Sequence, residues 1–463
     1  MTSRNDYVLR IAVIAIGAGC VVGIIHVLGV IGLRVPLDPN EGWNAYFAQA
    51  AALHGSPYPA ASSLMTNNYP PLSFYFIGLV GGDAIITGRI VALISFMAVA
   101  MMMSVAARRM GCTRTEAAFA VLLFASCLLL TSDYVGMDDP QLLGHAVAMG
   151  GLLVTLLEPR SPRTMVMAAL IFTVAFFIKH NLVLLPITTG AWLLLLDRRL
   201  GVTFIISGLI FLLIGMGIFR EAFGTGLFTQ LAAPRLYHAS NIVAAMRVWL
   251  PWAAVPTAGT VLLAVLWRRD RYAMFCAIYA ATAAGAGIFF LGGDGVDVNA
   301  LFDADIALSL SAGVLLNRTV RDVSRPVLAL IYVLPLAILV FLLGPDWRTS
   351  DYWLHPMEDD TAAARSEIEL ITNAKGPAIC EMLSLCYWAS KPAEADLFNL
   401  GQQYAKRVRS DAAFVSLLDH RAFAIVEFES PSEFAPTTRI AQSLARNYRV
   451  IRRDDDRLFM APR

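Results

Sequence analysis

Apolar runs long enough to cross a bilayer recur along the first three-quarters of the chain, and no other feature narrows its possible folds so far. They cover roughly residues 11–33, 84–106, 115–132, 141–157, 164–178, 181–196, 201–219, 247–267, 272–291, 298–316 and 326–344. A hydrocarbon core about 30 Å thick takes about 20 apolar residues of helix at 1.5 Å per residue. No water at that depth pairs with backbone amides, so each run must satisfy its own and is expected to be helical. The expected fold class is an all-α polytopic membrane domain of about eleven transmembrane helices, followed by a small α/β domain. Composition agrees: 15% of the 463 residues are charged, against about a quarter in a soluble domain. The formal net charge of +1 gives no basis for nucleic-acid binding. The first run has no small-x-small cleavage site before Asp38 and is read as a retained helix.

Charge sets the orientation. With Arg4 and Arg10 in the cytoplasm, the alternate loops on that side carry Arg108, Arg109 and Arg114; Arg160 and Arg163; Arg198 and Arg199; Arg268, Arg269 and Arg271; and Arg318, Arg321 and Arg325. Short arginine-rich loops are what the positive-inside rule asks for. The opposite loops read DPNEGW, SDYVGMDDP and GGDGVDVN, and are acidic. An odd number of spans puts the first loop (about 35–83) and the tail outside. The division expected is a membrane domain over 1–345 and an exocytoplasmic α/β domain over 346–463. In the tail, PAIC, FAIVEF, YRVIRR and RLFMAP read as strands, the last two as a terminal hairpin. AAARSEIELITNA and PTTRIAQSLARNY read as amphipathic helices. Cys20, Cys127 and Cys276 lie in apolar runs and read as packing residues, whereas Cys380 and Cys386 are a candidate disulfide in an oxidising compartment.

The polar residues that need explaining fall on the outer side. LDPNEGWNAYFAQAA places Asp38 and Glu41 just before Trp43 and Tyr46. A helix along the interface fits Glu41 to His54, with Asn40 as its cap, Glu41 in its first turn and the aromatics at headgroup level. Tyr69 follows in TNNYPPLSFYF, where Pro70 and Pro71 end one element and a second interfacial helix begins. Asp138 and Asp139 stand before Pro140 at the start of a membrane helix, good N-terminal chemistry but one acid more than a cap needs. Lys179 lies in the turn IKHN with His180 and Asn181; it either snorkels to headgroups or meets an anion such as phosphate. Asp303 and Asp305 interrupt an apolar helix, with Asp294, Asp297 and Asn299 at its mouth. Ionisable groups at membrane depth are functional candidates by default. Arg235, Tyr237 and His238 add polar groups in the loop from Arg220 to Arg247. No Walker, GxGxxG or HExxH pattern builds a soluble nucleotide or zinc site.

Together, NEGWNAYFAQAALHGSPYP…NNYPPLSFYF, GMDDP and IKHN resemble the signatures of the GT-C class of membrane glycosyltransferases, in the protein mannosyltransferase and aminoarabinose-transferase branch. The resemblance implies transfer of a sugar from a polyprenyl-phosphate donor to an acceptor hydroxyl on a glycan, lipid or protein, at the outer face of a bacterial inner membrane and with inversion. It implies a carboxylate as general base. Where the family commonly carries Asp-Glu, this chain has Asn40-Glu41; Glu41 keeps the motif's register against GWNAY and is preferred to Asp38 as that base. Asp138 and Asp139 are then candidates for acceptor binding, and Lys179, His180 and Asn181 for the donor phosphate. Trp43, Tyr46, Tyr69, Asn299 and Asp303 are further candidates for substrate contact. No cofactor is firmly expected; a divalent metal bridging carboxylates occurs in some relatives and is left open. The rival readings are a transporter or flippase of lipid-linked sugars, with Asp303 and Asp305 coupling ions, and a catalytically silent GT-C-like protein.

Overall fold

The computed structural model describes residues 6–319, 324–342, 357–429, 434–454 and 457–463. Fourteen helices make up the first part of the chain: α1 (Asp6–Val30), α2 (Pro39–His54), α3 (Leu72–Val80), α4 (Ala84–Arg109), α5 (Arg114–Thr131), α6 (Gln141–Thr155), α7 (Pro162–Ile178), α8 (Leu184–Leu196), α9 (Arg198–Phe223), α10 (Gly226–Leu231), α11 (Ala239–Leu266), α12 (Arg271–Phe290), α13 (Phe302–Arg318) and α14 (Ser324–Leu342). Among the described residues every expected apolar run is mainly helical, with turns at 31–33 and 181–183. Seven of the helices are long and apolar enough to cross a membrane; α6, α7, α8 and residues Arg325–Ala337 of α14 are apolar but shorter. Helix α11 begins at Ala239, well before the expected start at 247, and carries Pro251 and Pro256 in its interior.

Side-chain exposure separates lipid-facing helices from the central one. Leu209, Leu213, Ile214 and Ile218 of α9 stand open, as do Ile11, Ile14 and Ile25 of α1. Helix α13 is buried on all sides from Phe302 to Leu316, packed by α5, α11 and α12. A helix apolar and enclosed all round is the core of the bundle.

The loops sort to two ends. At one end Arg318 pairs with Asp270 at 2.9 Å and donates to Met110 O, while Arg271 pairs with Glu158 at 3.2 Å. Glu116 closes the capping box on Thr113 there and also meets Arg325 and Asn317. At the other end the acidic loops gather around the C-terminal domain. Trp388 Nε1 donates to Asp83 at 3.1 Å, Gln402 Nε2 to Asp294 at 3.1 Å, and Leu64 bridges to Ala395. Arg4, Arg321 and the domain boundary expected at 345/346 lie outside the described residues.

The C-terminal domain holds a four-stranded sheet of β1 (Ala378–Cys380), β2 (Ile425–Phe428), β3 (Tyr448–Arg453) and β4 (Leu458–Pro462), in the order β1-β2-β4-β3. The strand β1 runs parallel to β2, and the other two pairings are antiparallel, so β3 and β4 form the expected hairpin; residues 455–456 at its tip lie outside the described residues. Both expected amphipathic helices are present, as Glu358–Asn373 and Thr438–Asn447. Cys380 and Cys386 are disulfide-bonded, with Cα atoms 6.0 Å apart, within the range the bond tolerates. Just beyond β1, the helix Leu383–Trp388 packs on α2. The crossing is so close at Gly42 that a Cβ would lie 2.1 Å from Ser384 N.

Candidate active site

Asp38 and Glu41 differ in sequence by three positions and in environment completely. Asp38 is the N-cap of α2, with Pro39 in the first turn, and its Oδ1 accepts from Asn40 N at 2.7 Å. The cap is thus Asp38 and not Asn40, because Pro39 preorganises the first helical position. Glu41 is fully buried. Arg89 of α4 donates to it in bidentate fashion, Nε to Oε1 at 2.7 Å and Nη2 to Oε2 at 2.6 Å. Leu37 N and Asp138 N each donate to the same carboxylate at 3.1 Å. Arg89 also holds the carbonyls of Leu33 and Val35. Glu41 therefore fastens the exit of α1, the start of α2, helix α4 and the loop between α5 and α6. A carboxylate with four donors and no exposed surface is poorly placed to take a proton from a substrate. The preference for Glu41 as base finds no support in this geometry.

Asp38 faces a cavity of about 300 Å³ between the helical domain and the C-terminal domain. The helical domain contributes Asp38, Trp43, Tyr69, Arg235 and Asp297; the C-terminal domain contributes Glu381, Leu383, Asp396, Phe398 and Glu429. Burial, with Asp139 and Glu41 nearby, pushes the Asp38 carboxyl up to about 6 against the opposing hydrogen bond from Asn40. Arg235 sits over the Phe398 ring at 4.9 Å and is the only Lys or Arg on the cavity wall among the described residues. Trp43 Nε1 donates to Asp396 at 3.0 Å and to Thr66 O, and Asn399 Nδ2 donates to Asp396 at 2.5 Å.

Behind Tyr69 lies a second buried pair. Lys179 Nζ donates to both oxygens of Asp139, at 2.6 and 2.8 Å, and stands 4.7 Å from the centre of the Tyr69 ring. Burial works against its charge, but Asp139 and Tyr69 outweigh that and raise its pKa. Lys179 is 3% exposed, so it does not snorkel. The pair continues into a polar chain. Gln141 N donates to Asp139, Asn181 Nδ2 to Gln141 Oε1 at 3.2 Å, and the His145 ring meets Gln141 O. His145 lies 3.7 Å from Asp303, which takes the Tyr279 hydroxyl; Asp305 accepts from Trp249 Nε1 at 2.7 Å. Both acids of α13 thus have fixed partners inside the bundle. His180 is held down to about 4 by burial and by Lys179 and Arg235, and is neutral at pH 7.

The structure brings Asp38, Trp43 and Tyr69 to the cavity, with the Lys179–Asp139 pair and His180 directly behind Tyr69. Glu41, Asp138, Asn181, Asn299 and Asp303 are not on its wall. Trp43 and Tyr46 are buried, and Tyr46 donates to Lys391 O at 2.7 Å. They pack in the seam between domains, where the C-terminal domain covers the face of α2 that the sequence assigns to lipid. Three contributors went unread in the sequence: Arg89, Asp396 and the role of Arg235. Arg89 did leave a signal, a lone charge within an otherwise apolar run that needs a buried acid. Among the described residues no three His, Cys, Asp or Glu side chains converge as metal ligands would.

No protein-family model and no curated protein matches the chain. Its fold does match solved structures. ArnT, an aminoarabinose transferase, from Cupriavidus metallidurans in the apo state superposes with a TM-score of 0.64 at 15% identity, over 97% of this chain and 97% of that one. The same protein bound to undecaprenyl phosphate gives 0.59 at 16% identity, again over 97% of both chains. A likeness end to end at so low an identity is one of fold, and the fold this chain adopts is that of ArnT.

Proposed function

We infer that the protein is an integral-membrane glycosyltransferase that moves a sugar from a polyprenyl-phosphate donor to an acceptor hydroxyl, with Asp38 as general base. One observation carries the reading: Asp38 and Arg235 line the same cavity, in a fold that in ArnT binds undecaprenyl phosphate. In this mechanism the acceptor hydroxyl hydrogen-bonds to Asp38, whose carboxyl near 6 is ionised at neutral pH yet basic enough to accept a proton. The acceptor oxygen attacks C1 of the sugar as the bond from C1 to the phosphate oxygen breaks, and the proton passes to Asp38. Attack from the face opposite the leaving group inverts C1. Arg235 meets the charge growing on the departing phosphate, for which its fixed guanidinium is suited. Lys179, already neutralised by Asp139, orders the Tyr69 wall and adds less pull on the phosphate.

The arginine-rich end of the bundle is assigned to the cytoplasm by the positive-inside rule, which puts the cavity and the C-terminal domain on the outer face of a bacterial inner membrane. The division into a membrane domain to 345 and an outer domain from 346 belongs to the same reading. The test is transfer from a radiolabelled polyprenyl-phosphate sugar in membranes. Asp38→Asn is expected to lose at least about 100-fold in rate with an unchanged melting curve. Transfer at the wild-type rate in Asp38→Asn refutes the base assignment, and wild-type protein that consumes no donor favours the transport or silent readings.

A further inference from the structure

Three residues that each carry a buried side-chain atom without a hydrogen-bond partner line one small cavity beneath the first outer loop. The atoms are Asn44 Oδ1 on α2, Ser73 Oγ on α3 and Asp138 Oδ2 in the second outer loop. Their residues are 4%, 3% and 4% exposed. The cavity measures about 20 Å³. One water needs on the order of 10–15 Å³ and two to four polar partners, so the space fits one water and the three atoms are enough to hold it.

The surrounding charges decide what the cavity takes. The ionisable groups facing Asp138 are Glu41 on α2, Arg89 and Asp83 on and before α4, its neighbour Asp139, and Tyr387 of the C-terminal domain. Arg89 is engaged by Glu41, and Lys179 by Asp139. Asp138 is left without a cation of its own. A space of about one water's volume has no room for the waters that complete the shell of a calcium or magnesium ion.

We propose that this cavity is a buried water site and that Asp138 holds the water as a neutral carboxylic acid. The water accepts a hydrogen bond from Asp138 Oδ2–H, donates one to Asn44 Oδ1, and makes its third with the Ser73 hydroxyl, whose proton rotates to suit. Burial holds the Asp138 carboxyl well above the usual carboxylate range, with Glu41 and Asp139 adding to the effect and Arg89 opposing it. Helix α4 makes room for the acid with Gly88, where a Cβ would lie 1.8 Å from Asp138 Oδ1. The water ties together α2, α3 and the second loop, and these carry Asp38 at the N-cap, Tyr69 ahead of α3, and Asp139. Asp138 is thus a positioning residue. The two acids of GMDDP divide their work, Asp139 paired with Lys179 and Asp138 set against water.

The test is infrared difference spectroscopy on the full chain in lipid nanodiscs at neutral pH. Wild type minus Asp138→Asn is expected to show a carboxylic-acid C=O stretch, and Ser73→Ala is expected to shift that band, because hydroxyl and carboxyl share one water. Asp138→Asn, isosteric with the neutral acid, is expected to melt within a few degrees of wild type and to keep its pH–rate profile. Four results overturn the proposal: absence of the acid band; a band that Ser73→Ala leaves unmoved; an Asp138→Asn variant that fails to fold or changes its pH profile; or a wild-type melting temperature that rises with sodium, magnesium or calcium while that of Asp138→Asn does not. The infrared and melting readouts need no turnover, so they stand apart from the transferase reading.

Discussion

Replacing Glu41 with glutamine separates a structural from a catalytic role. The carboxylate is fully buried and takes four donors, two of them from Arg89 at 2.7 and 2.6 Å. The amide keeps one acceptor but turns an NH2 toward the guanidinium and leaves the arginine charge buried without a counter-charge. Breaking a buried pair from one side costs about 3–5 kcal/mol. A typical native reserve is about 5–15 kcal/mol, so the loss removes a large share of it and lowers the steady-state amount of protein several-fold. Removing both charges, as in Glu41→Leu with Arg89→Met, avoids the unpaired buried charge, and what it still costs is the loss of partners for Leu37 N, Asp138 N and the carbonyls of Leu33 and Val35. The double variant is therefore expected to lose less stability than the two single variants summed, the non-additivity that a double-mutant cycle reads. The measurement is unfolding followed by tryptophan fluorescence in detergent, alongside sugar transfer per folded molecule. If Glu41→Gln melts like wild type while transfer is lost, Glu41 is the base and the structural assignment is refuted.

Further perturbations probe other parts of the site. Because Asp38 must be ionised to act and its carboxyl lies near 6, transfer is expected to rise with pH through about 6 and to level off above it; a flat rate between pH 5 and pH 7 contradicts that. Gly42→Ala places a Cβ 2.1 Å from Ser384 N and 2.3 Å from Leu383 C, both backbone atoms that cannot rotate away. It is expected to destabilise the seam by at least about 1–3 kcal/mol and to speed proteolysis of the C-terminal domain; unchanged digestion kinetics would remove the seam from the argument. The bond between Cys380 and Cys386 spans a sequence separation of 6, so replacing both with serine is expected to cost about 2 kcal/mol by loop entropy, measured as a lower melting temperature that added reductant does not lower further.

Periodic and compositional signals were legible wherever one segment decides its own structure. The apolar runs became helices, PPL ended one element and started α3, and FAIVEF and the terminal pair became adjacent strands. What failed were questions about the neighbour. Trp43 and Tyr46 look the same in sequence whether they face lipid or the Leu383–Trp388 helix, because both surroundings are apolar. Glu41 has the register of a catalytic acid, and only the position of Arg89, far along the chain, reveals that it is enclosed. Lys179 offered two exposed readings, and the structure gives it a buried one against Asp139. In each case the deciding partner lies on another element, where neither spacing nor propensity reaches.

The cavity is framed by Asp38, close to the beginning of the chain, and by Glu429, close to its end. A ribosome feeding this chain into a membrane therefore completes every helix of the bundle before the last wall of the cavity exists. Until the C-terminal part has folded, Trp43 has no Asp396 to bond and Gly42 no backbone to lean on. Synthesis itself thus acts as a timer: a half-made chain holds a candidate base without a chamber around it, and becomes competent only when its final strands have paired.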